Sequence, residues 1–310
     1  MRSVWVAAAA AATAWMGVAA SGQTSHTPRS PRPDASGSPG LVASPAPATA
    51  AHVTVPGYVL TFEVRATAPG LETSPSAAPE ARVLTSRLKG TSSLVSRVWL
   101  AQDLSRQEVL SNDFILPAGT VVMHKAGDKF YVIADPKAET YVVMDSQALL
   151  EALEGSGGVI NTQYEARVHH TDERKTIAGV PCRKSVVVVT YVSSIPLEND
   201  RVSVQQKNEI EVWHTSELVS SAALDHFFFK FQQDRTGVVQ KTVSSEIGFP
   251  MEVSLVVTQG TGRKSGAPGS LHMVVTEAAR APRLDTELFR IPPAGYRRTD
   301  KNVYFAAGTR

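Results

Sequence analysis

Glu173-Arg-Lys-Thr-Ile-Ala-Gly-Val-Pro-Cys-Arg-Lys-Ser-Val-Val-Val-Val-Thr-Tyr191 is the stretch whose reading decides the fold. Gly179-Val180-Pro181 supplies a turn, Cys182 is the only cysteine of the chain, and Val186 to Val189 form an unbroken β-branched run. Such a run, bounded by a turn and ending on Thr190 and Tyr191, predicts a strand covered on both faces. A strand of that kind requires layers above and below it. On the strand Arg183 points away from Cys182, and no base lies nearby in sequence, so the cysteine reads as a packed thiol rather than a nucleophile.

Working outward, Glu209-Ile210-Glu211-Val212-Trp213-His214 alternates with a period of two, which turns Ile210 and Val212 inward and the glutamates outward. Thr215-Ser216-Glu217 then gives a helix-start signal, and Leu218 to Gln233 reads as a helix with a stripe of Val219, Ala222, Ala223, Phe227, Phe228 and Phe231. The Phe227 to Phe231 cluster can pack a core or line a cavity for an acyl chain. Upstream, a strand is expected over Tyr164 to His169. Before it, a short helix opens at Asp145-Ser146, carries Leu149, Leu150 and Leu153 on one face, and stops at Gly155.

Order is expected to begin near Tyr58, where Tyr58, Leu60, Phe62 and Val64 alternate with Val59, Thr61, Glu63 and Arg65. Leu94 to Leu100, Arg106 to Leu110, Thr120 to His124, Lys129 to Ala134 and Thr140 to Met144 follow as short strands. Connections this tight permit hairpins only, so the sheet is predicted to be an antiparallel meander. Two further strands carry Met251 to Val257 and Leu271 to Val275, joined by a Gly260 to Gly269 hairpin loop. Asp285 to Pro293 reads as a short turn that docks Leu288, Phe289 and Ile291.

The ends of the chain differ in composition. Met1 to Ala20 has Arg2, an apolar run from Val4 to Val18 and small residues at its close, the layout of a signal peptide cleaved after Ala20. An uncleaved anchor is the alternative, since this run is near the minimum for a span. Residues 21–56 are rich in Pro, Ala, Ser and Thr and read as a disordered tether or spacer. A single β domain over 57–298 and a polar tail over 299–310 complete the organisation. No later stretch reads as a membrane span, which leaves a chain without a stable transmembrane domain once the signal is cleaved. Periplasmic or other extracytoplasmic localisation follows. The 310 residues are 43% hydrophobic with a net charge of +2, and so lack the basic stripe that nucleic acid requires.

Four segments in order are distinctive: Thr176 to Lys184, Glu211 to Leu218, Gly248-Phe-Pro-Met-Glu252 and Leu284-Asp-Thr-Glu-Leu-Phe-Arg-Ile-Pro292. Together they resemble an uncharacterised family of exported bacterial proteins, a domain of unknown function grouped with the lipoprotein carriers of the LolA and LolB type. The resemblance spans about Tyr58 to Arg298. It implies a LolA/LolB-like fold, mainly β with α: a strongly curved antiparallel sheet forming an unclosed barrel, with helices covering the concave side and an apolar cavity between them. No cargo-contacting residue of the carriers can be transferred to a position here.

Catalytic signatures are weak. His169 and His170 occupy adjacent strand positions and point to opposite faces, which defeats joint metal ligation. His124, His214 and His272 stand alone in strands. Gly260-Thr-Gly-Arg-Lys-Ser-Gly266 departs from a phosphate loop at Arg263, and no Gly-x-Ser-x-Gly elbow is present. The expectation is a monomeric, non-enzymatic binding protein without cofactor or metal. It holds a lipid or other apolar ligand, such as a lipoprotein acyl chain, against Val186, Val188, Ile210, Val212, Phe227, Phe228, Phe231 and Met251. The alternative is a structural or protein-interaction module of the cell envelope with a packed interior.

Overall fold

The computed structural model describes residues 53–68, 90–112, 117–125, 128, 130–145, 160–196, 201–218, 238–257 and 269–299. They form a 12-stranded sheet: β1 (Thr54–Ala68), β2 (Gly90–Ala101), β3 (Leu104–Asn112), β4 (Val121–Lys125), β5 (Phe130–Asp135), β6 (Thr140–Asp145), β7 (Ile160–Ile177), β8 (Val180–Pro196), β9 (Arg201–Thr215), β10 (Phe249–Val257), β11 (Gly269–Asp285) and β12 (Arg297–Arg298). The spatial order is β12-β6-β5-β4-β3-β2-β1-β11-β10-β9-β8-β7. Every pairing is antiparallel except the short β12–β6 contact. Two meanders, β1 to β6 and β7 to β11, therefore meet at a seam where β1 pairs with β11, from Thr54↔Asp285 to Thr67↔Ser270.

The antiparallel meander expected from hairpin spacing is what the strands form. The helical cover implied by the family resemblance is not. Among the described residues the helical content is α1 (Val238–Glu246) and a 3-10 turn at Thr286–Phe289. A nine-residue helix is about 13 Å long, whereas twelve strands at about 4.8 Å spacing extend over roughly 53 Å along their hydrogen bonds. For the described residues, the mainly-β-with-α reading, with helices covering the concave side, is thus corrected to an open sheet with one short helix at one end, beside β7. The helix expected from Asp145-Ser146 and nearly all of Leu218 to Gln233, including Phe227, Phe228 and Phe231, lie outside the described residues. Leu218 itself is described, and it is buried.

Period-two alternation puts one apolar face inward. Leu60, Phe62, Val64 and Ala66 of β1 join Leu94, Val98 and Leu100 of β2, and the same face continues through Met273 and Val275 of β11 to Val187 and Val189 of β8. Val239 and Val243 of α1, with Ile247 just beyond it, reach this cluster from spacings of four. On that face Gln107 Nε2 donates to Ser96 Oγ at 2.9 Å. Two smaller clusters back the other face. Val121, Met123, Val132 and Ala134 pack with Tyr141 and Tyr296, and Ala101, Leu284 and Phe289 pack around the C-terminal turn. Phe289 is buried there, while Ile291, expected to dock beside it, remains 40% exposed.

The valine run of β8 is corrected too. Val187 and Val189 are core residues, opposite Ile210 and Asn208 of β9, but Val186 and Val188 are only half-buried and lie opposite Glu211 and Glu209. The strand is fully covered on one face. Four consecutive valines offer no polar alternation, so the register against β9 decides which pair points inward.

Candidate functional site

The densest polar constellation lies where β7, β8 and β9 meet the end of α1. Ser185 occupies an inward position of β8 between His170 of β7 and Val212 of β9 and has no exposed surface. His214, two residues after Val212, points the same way. The Gly248 N–H donates to His214 Nδ1 at 3.2 Å, so that nitrogen carries the lone pair and the proton of the neutral ring is on Nε2. His214 Nε2–H then donates to Ser185 Oγ at 2.9 Å. The Ser185 hydroxyl donates to His170 Nδ1 at 3.0 Å. His170 Nε2 in turn stands 3.7 Å from the Glu246 carboxylate at the end of α1. The result is a directed chain, Gly248 to His214 to Ser185 to His170 to Glu246, that ties three strands to the helix.

Two features fix this geometry. Gly248 runs so close to β9 that a Cβ would strike the Thr215 carbonyl, with the Thr215 carbon 2.8 Å and the Ser216 nitrogen 3.3 Å away. Only glycine can bring its amide to His214 there. Burial, foremost, lowers the His214 pKa below the ordinary imidazole value, and the nearby His170 and Arg183 lower it further. The ring is therefore held neutral, the form in which Nδ1 can accept from Gly248. Ser185 uses its hydroxyl as both donor and acceptor within the chain and has no surface at which to meet a substrate. The arrangement acts as a tie between elements.

A second polar network covers the outer face. Lys184 lies between Glu173 at 3.3 Å and Glu211 at 3.4 Å, and the hydrogen bond to Glu173 chiefly raises its pKa. Lys175 Nζ pairs with Glu252 at 2.7 Å and sits 4.2 Å from the centre of the Trp213 ring. Glu252 also faces His272 at 3.5 Å. Val186 and Val188 open onto this charged side.

The expected ligand floor is divided as a result. Ile210, Val212 and Met251 lie on the inner face at 2%, 0% and 0% exposure, whereas Val186 and Val188 lie on the outer one. Cys182 is buried, donates to the Val180 carbonyl at 3.3 Å, and has its pKa raised, chiefly by burial. Sequence reasoning passed over Ser185 and Glu246, and read Gly248 only as the start of one of the four distinctive segments. The available signals were a lone hydroxyl at the head of a valine run and a Gly-Phe-Pro after a β-branched stretch.

No group of three or more His, Cys, Asp or Glu among the described residues is arranged to hold a metal ion. No helix among them is long and apolar enough to cross a membrane. No protein-family model matches the chain, and no curated protein matches it.

Proposed function

We propose that the chain is an exported, non-enzymatic interaction module of the cell envelope whose interior is filled by its own side chains. The observation that carries this reading is the closure of the inner face: Ile210, Val212, Met251 and Met273 are each at most 2% exposed. A ligand could reach them only by displacing packed atoms. The outer face, laced with the Lys175, Lys184, Glu211 and Glu252 pairs, is suited to a polar partner. Export rests on the leader-like pattern of Met1 to Ala20, which would place the module in the periplasm or another extracytoplasmic space.

A second reading, a carrier of a lipid or lipoprotein acyl chain, is favoured by the continuity of the apolar face from β5 to β8. Native mass spectrometry of protein purified from cell envelopes separates the two. The packed module, whatever its copy number, carries no mass beyond that of its polypeptide and gains no stability from added fatty acid. A stoichiometric extractable lipid overturns the proposal in favour of the carrier.

A further inference from the structure

The two ends of the sheet are unequal. One closes on β12, a strand of two residues; the other is β7, with 18 residues and, among the described residues, β8 as its only strand neighbour. α1 packs beside β7 near His170, and away from it an edge without a second strand offers main-chain donors and acceptors to another strand. Irregularities between Thr162 and Glu165 and between His170 and Arg174 leave a regular run from Glu165 to His170. Within it Glu165 and Arg167 stand on the outer side, 72% and 76% exposed and 4.0 Å apart. Tyr164, Ala166 and Val168, on the inner side, pack against the core cluster and remain partly exposed at its margin.

Charges on an edge usually oppose pairing, but this pattern is self-complementary. Antiparallel pairing of two β7 strands that keeps inner face with inner face has few registers open to it. Centring on Glu165 puts glutamate opposite glutamate, and centring on Arg167 puts arginine opposite arginine; like charges directly opposite are destabilising. Centring on Ala166 places Glu165 opposite Arg167 twice over, and on the other face it opposes the two Ala166 residues, with Val168 directed toward the irregular Tyr164 end of the partner strand. Two-fold symmetry makes one favourable pair into two.

We infer that the chain forms a homodimer by edge-to-edge pairing of β7, with the two-fold axis at Ala166, giving one continuous sheet across both copies. This deepens the interaction-module reading and rests on it by naming the partner as a second copy. Sedimentation velocity on the full chain over a concentration series tests it, with the E165R and R167E single variants and the E165R/R167E exchange. The wild type sediments as a dimer. Each single reversal opposes like charges twice and weakens dimerisation at least about tenfold. The exchange restores complementarity and recovers the dimer. Both side chains are largely exposed, and matched circular dichroism spectra identify any variant that fails to fold. A one-chain mass throughout, a dimer indifferent to the single reversals, or an exchange variant that stays monomeric overturns the proposal. None of these outcomes bears on lipid content, which the mass measurement reads separately.

Discussion

Replacing Ser185 by alanine removes the centre of the chain that runs from Gly248 to Glu246. Two hydrogen bonds are lost, at 2.9 Å to His214 and 3.0 Å to His170, and each contributes about 0.5–1.5 kcal/mol net. The two losses are not equal. The His170 side chain is 56% exposed and recovers a water partner, whereas the less exposed His214 Nε2–H is left facing a methyl group. A total of about 1–2 kcal/mol is expected at pH 8, or a fall in Tm of roughly 2–8 °C for a domain of this size. Guanidinium unfolding of S185A, H214N and the double variant measures it. The two positions should couple by at least about 0.5 kcal/mol, as groups in one hydrogen-bond network do. Additive losses, or an S185A variant within about 0.3 kcal/mol of wild type, would refute the reasoning that this hydroxyl ties β7 to β9.

Three further outcomes follow from the same geometry. His214 has a folded pKa below its unfolded value, so the stability it supplies is full above about pH 6.5 and is lost as pH falls through the folded value. The urea midpoint should therefore drop on acidification in wild type, and less steeply in H214N. Gly248→Ala forces a Cβ onto the rigid Thr215 backbone and displaces the amide that His214 accepts from. A loss of about 2–4 kcal/mol should appear in thermal unfolding, and an unchanged midpoint would contradict the close approach. Cys182, buried with a raised pKa, should react with a thiol reagent more than about tenfold more slowly in the folded protein than in denaturant, as followed by absorbance.

Much of the sheet could be read from sequence because one face is apolar and the other wet. Leu60, Phe62 and Val64 against Thr61, Glu63 and Arg65 state their own orientation, and the same holds for Ile210 and Val212 between glutamates. Val186 to Val189 do not, since both parities are equally apolar, and only pairing with β9 assigns Val187 and Val189 to the core. α1 escaped notice for a related reason. Its Val239 and Val243, with Ile247 after them, have helical spacing, but the segment is rich in β-branched residues and has no acidic first turn. The Ser185 chain was beyond sequence reading altogether. Its members are separated by 15 and 29 residues, and strand register alone makes them neighbours.

The β1–β11 seam sets an order of events for the newborn chain. β1 can pair with β2 once residue 101 has emerged, but its other edge waits for a strand that ends at Asp285, and Thr61 finds Glu277 only across 216 positions of chain. Each doubling of that separation costs only about 0.6 kcal/mol in closure entropy, so the burden falls on rate rather than on final stability. Throughout synthesis the first meander carries an open central edge, and a chain cut short before residue 269 would leave two such edges, on β1 and on β10, with nothing to join them.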